Sequence, residues 1–60
     1  MSSVYIAQAE VTERIERLEL AVRDVRRKID HAHNADDRRA LNRQLREMLD
    51  EIVVLRARLP

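Results

Sequence analysis

His31 and His33, followed by Asp36 and Asp37, are the densest group of potential metal ligands in this 60-residue chain. Imidazole and carboxylate together could hold a divalent cation. On a helix, residues i and i+2 point apart, so the two histidines could chelate only from a turn. Their spacing matches no HExxH pattern and the chain has no cysteine, so neither a metal nor any other cofactor is expected. Glu10, Glu13, Glu16 and Glu19 are a second group, of a type used in acid–base catalysis. However, Glu10–Arg14, Glu13–Arg17, Glu19–Arg23 and Asp24–Lys28 are i, i+4 pairs with the acid first, the orientation that supports a helix. No Ser/His/Asp or Cys/His set accompanies them, and the expectation is a protein that is not an enzyme.

Arg23, Arg26, Arg27, Lys28, Arg38, Arg39, Arg43 and Arg46 form a third group. Such residues on one face could follow a phosphate backbone, with Arg26, Arg27, Lys28, Arg38 and Arg39 as the candidate contacts. Asp24, Asp30, Asp36 and Asp37 dilute the patch, the net charge is only +1, and the single aromatic residue, Tyr5, lies far off in sequence. An RNA-binding hairpin dimer is therefore the alternative reading rather than the first.

The elements that must carry these residues are helical. The chain has no Gly, its single Pro is the last residue, and it is rich in Ala, Leu, Glu and Arg, the composition of long helices and coiled coils. Val11, Ile15, Leu18, Val22, Val25, Ile29 and Ala32 recur at steps of four and three, the a and d positions of a heptad. Leu41, Leu45, Met48, Ile52, Leu55 and Leu59 do the same. Continuing the first register would place Asp36, Arg39 and Arg43 in the seam, so the two runs are out of phase. A stutter or a stammer does not produce that offset, and the chain must turn between them. Residues 31–37, HAHNADD, are the place. Positive charge at the end of the first run suits a helix C-terminus. Asn34 is a good N-cap, with Asp37 in the capping-box position. With no Gly available, Asn34 is also the natural left-handed residue.

An antiparallel hairpin fits these runs without adjustment. Facing residues whose numbers total 70 are Ile29 with Leu41, Val25 with Leu45, Val22 with Met48, Leu18 with Ile52, Ile15 with Leu55 and Val11 with Leu59. All six layers are apolar, and Glu19 comes near Arg56 at the edge. The expected fold is a single all-α hairpin of coiled-coil type, residues 1–60. Helix one covers about 3–32, the turn about 33–35 and helix two about 35–59. In this register residues 1–9 overhang helix two and carry Val4, Tyr5 and Ile6, which would need a partner to cover them. Continuation of the seam through Gln8 and Val4 favours a helix there over a strand arm.

Below roughly 70–80 residues one core rarely suffices, and without disulfides self-association is the usual remedy. A second apolar stripe, Leu49, Val53 and Ala57 with Val54 beside it, would widen the seam face, and the small Ala7 and Ala21 would let another helix approach. The hairpin is expected to bind itself, most simply as a dimer forming a four-helix bundle. The expected function is that of a structural or adaptor protein, with a larger protein assembly as partner. A cytoplasmic or virion-borne protein is expected, with no signal peptide and no membrane-spanning segment.

Overall fold

The computed structural model describes residues 2–60, with side chains from residue 8 onward. It is an all-α hairpin: α1 (Ser2–Asp30) and α2 (Ala35–Ala57) pack against one another along their length. The Cα envelope is 50 Å long and 15 by 12 Å across. The radius of gyration, 14.5 Å, exceeds the ~10 Å of a compact globule of this length, as expected for two helices lying side by side.

The heptad seam is where the sequence places it. Ile15, Val22, Val25, Ile52 and Leu55 are buried, and Val11, Leu18, Ile29, Leu41, Leu45, Met48 and Leu59 are half-buried. Ile15, Val22, Ile52 and Leu55 form one cluster, with Val11, Leu18, Leu45, Met48 and Leu59 packed around it. Two ion pairs between the helices fix the register. Arg14 Nη2 lies 2.6 Å from Glu51 Oε1, and Arg56 Nη2 donates to Glu19 Oε2 at 2.9 Å. Their residue numbers total 65 and 75, five to either side of 70. In heptad terms they are a g–g pair on one flank and an e–e pair on the other, the pairing of an antiparallel coiled coil.

Glu10–Arg14 and Glu19–Arg23 do not form: Arg14 pairs instead with Glu51, and Glu19 with Arg56, the edge contact that the hairpin register implies. Only Glu13–Arg17, at 2.6 Å, and Asp24–Lys28, at 3.4 Å, form as i, i+4 pairs. The reason lies in position: g and e side chains border the neighbouring helix and meet its opposite charge there.

The turn begins earlier and is longer than the sequence suggests, residues 31–34 separating the helices. α1 stops at Asp30 rather than 32, and α2 at Ala57 rather than 59. At the end of α1, His31 N–H is shared between the Arg27 and Lys28 carbonyls, and Ala32 N–H donates to Ile29 at 3.2 Å. This i→i−3 tightening satisfies carbonyls that a left-handed residue would otherwise serve. Among the described residues none has positive φ, so Asn34 is not the left-handed stop. It is instead an extended N-cap (φ −137°, ψ 164°). Its Oδ1 accepts from Asp37 N–H at 2.8 Å, while its Nδ2 donates to Asp37 Oδ2 at 3.0 Å. The reciprocity of a capping box is kept, but through the side-chain amide and not the backbone N–H. Arg38 reaches back from α2 to the Ala32 carbonyl at 3.4 Å, tying the two helix ends together.

Candidate interaction surfaces

Two flanks run along the seam. One presents the e and b positions: Glu16, Glu19, Arg23 and Arg26 from α1, and Arg46, Leu49, Val53 and Arg56 from α2. Leu49 is 38% exposed and Val53 68% exposed, although both are large and apolar. Between the helices on this flank a groove of about 240 Å³ opens onto the buried Val22 and Ile52, with Leu49 and Arg26 on its walls. The other flank presents Arg14, Ala21 and Lys28 opposite Gln44, Glu51 and Arg58. Ala21 is half-buried there, and the Arg14–Glu51 pair bridges the helices on this flank as Glu19–Arg56 does on the other. Val54, 54% exposed, and Ala57 face outward on α2.

Leu20 has no counterpart in the sequence reading. It sits at an f position, outermost on α1, and is 64% exposed. Seam-based reasoning looks for apolar residues at a, d and their neighbours, so a lone Leu opposite the seam gives no periodic signal. The side chains of Val4, Tyr5, Ile6 and Ala7 lie outside the described residues.

Charge is segregated along the rod. Residues 23–46, the turn half, carry eight Lys and Arg against four Asp, a formal +4. The remaining residues carry four basic against seven acidic groups, a formal −3. Ion pairing follows the same division. Among the described residues, three of the four ion pairs join residues of the open half, and two of those are the cross-helix bridges. In the turn half Lys28 is paired with Asp24. Among the described residues, no carboxylate forms an ion pair with Arg23, Arg26, Arg27, Arg38, Arg39, Arg43 or Arg46, and all seven are exposed. Arg26, Arg27, Lys28, Arg38 and Arg39 thus surround one end of the hairpin, as their sequence positions imply.

His31 and His33 are exposed in the turn. Among the described residues, no three His, Cys, Asp or Glu side chains gather where they could hold a metal ion. The described helices include none long and apolar enough to cross a membrane. Compared with models of known protein families, with curated proteins and with solved structures, the chain gives no match.

Proposed function

We infer that this chain is a non-catalytic assembly protein: a small helical hairpin that associates with itself and serves as a structural or adaptor component, in the cytoplasm or in a virion. One observation carries the reading. Among the described residues the hairpin buries only five apolar side chains and seals none completely, yet leaves Leu49, on the wall of an open groove, and Val53 exposed on one flank. Its accessible surface, 5113 Å², is about 1,000 Å² more than a compact protein of its mass exposes. A standard protein–protein interface removes roughly 800 Å² from each partner. In the same reading Val4, Tyr5 and Ile6 serve a larger partner.

Light scattering across a concentration series tests this. The full chain is expected as a dimer or higher oligomer, and Leu49→Arg with Val53→Arg is expected to reduce it to monomer while circular dichroism still reports helix. A full chain that is monomeric at every concentration overturns the reading.

The seven unpaired arginines of the turn half favour a second reading, nucleic-acid binding at that end. RNA affinity that falls steeply with salt, with a shallower slope after replacing Arg26, Arg27, Arg38 and Arg39 by Ala, would support it. No binding at low salt removes it.

A further inference from the structure

We propose that the second copy docks on the Leu49 flank in antiparallel fashion, its turn end over this copy's open end, around a two-fold axis level with residue 21. This rests on the self-association reading and adds a face, an orientation and a register.

The charges of α1 on that flank are self-complementary. The b and e positions run Glu16, Glu19, Arg23, Arg26. A two-fold axis perpendicular to the helices lays α1 antiparallel on the α1 of the second copy. With that axis at level 21, Glu16 meets Arg26 of the second copy, Glu19 meets Arg23, and each pair occurs twice. Among the described residues neither Glu16 nor Arg26 forms an ion pair, so both are available, whereas Glu19 already accepts from Arg56 and would share its carboxylate with Arg23 of the second copy.

A separate observation arrives at the same level. Through the antiparallel register that the Arg14–Glu51 and Glu19–Arg56 bridges fix, Leu49 of α2 stands opposite residue 21. The midpoint of the charge pattern on α1 and the exposed Leu49 on α2 therefore coincide. The two-fold axis places Leu49 against Leu49 and closes the groove over Val22 and Ile52 on both copies. Arg46 of one copy then lies over Val53 of the other, where its alkyl stem can cover apolar surface and its guanidinium reach water.

The alternative orientation is disfavoured by the same charges. A parallel pair, with turns at the same end, stacks α1 on the α2 of the second copy. Arg23 then faces Arg46, and the two +4 halves lie together. Antiparallel docking sets each +4 half over a −3 half instead.

The chain has no cysteine, so a single spin label can be introduced through His33→Cys in the exposed turn. In the antiparallel dimer the two labels are about 35 Å apart, from twenty-four residue levels at 1.5 Å each. A parallel dimer brings them within about 20 Å, since packed helix axes are roughly 8–10 Å apart. Charge reversal supplies a second measurement. Glu16→Arg alone and Arg26→Glu alone are each expected to raise the dimer Kd about tenfold, because each puts like charges together twice. The double variant restores opposite charges and is expected to return the Kd to within about threefold of the parent. A dimeric parent with a short label distance, or a double variant weaker than either single one, overturns the antiparallel arrangement and leaves self-association standing. A parent that is monomeric throughout removes both.

Discussion

The open half and the turn half of this hairpin are held together by different means. Toward the open end and the centre, Ile15, Val22, Ile52 and Leu55 pack into one cluster, and two ion pairs bridge the helices along its borders. Toward the turn Val25 is still buried, but the next layer, Ile29 with Leu41, is only half-buried and stands outside that cluster. The structure there depends on polar work at the ends: the Asn34 cap, the tightened last turn of α1, and Arg38 on the Ala32 carbonyl. The arginines follow the same split. Among the described residues, Arg14, Arg17 and Arg56 near the open end are neutralised within the chain and Arg58 is not, whereas near the turn seven are not. A half that leaves its own charges unmatched is the half to which an external negative group will be drawn, whether a second copy or a nucleic acid supplies it.

The sharpest way to break this comparison is through the core. Ile52→Ala removes a side chain from the cluster and is expected to cost roughly 2–5 kcal/mol, whereas Ile29→Ala, at a half-buried site near the turn, should cost about half as much. Chemical denaturation at one fixed protein concentration measures both, since association adds to apparent stability. Equal losses would show that the turn half is packed as firmly as the rest. Next in size is Asn34→Ala, expected to cost about 1 kcal/mol through loss of the cap to Asp37 N–H. Asn34→Gly, which leaves that N–H open to water, should cost only a few tenths. The smallest effect belongs to the open half. A double-mutant cycle on Glu19 and Arg56 is expected to give a coupling of about 0.2–1 kcal/mol, diminishing with salt, because both side chains are largely solvated.

Most of the hairpin could be read from residue spacing, and the reason is physical. A seam with period 3.5 admits one burial pattern per helix, and two seams out of phase cannot share one straight helix. The antiparallel register then followed from requiring apolar layers, and Glu19–Arg56 came with it. The helix ends were less legible. Reading Asn34 as a left-handed stop assumed that α1 needs one, whereas bonds from His31 and Ala32 to carbonyls three residues back close it without positive φ. The Arg14–Glu51 bridge was not legible, because i, i+4 spacing says nothing about the neighbouring helix. Leu20 gave no signal, since a single outward apolar residue has no period. For the candidate surfaces, the sequence supplied Leu49, Val53 and the turn-end arginines, but not which of them lie unpaired. That depended on which carboxylates α2 brings to α1.

Val25, the most buried of the described residues, still keeps 3% of its surface exposed. A rod with no sealed interior ties persistence to abundance whenever copies pair. On that pairing, the separate hairpins that prevail while copies are scarce would be the ones exposed to proteases, which act on the open population. As copies accumulate, pairing withdraws them from that population by mass action. On the proposed pairing, the thinness of the fold would set a threshold of abundance below which the chain is open to proteolysis and above which it is sheltered.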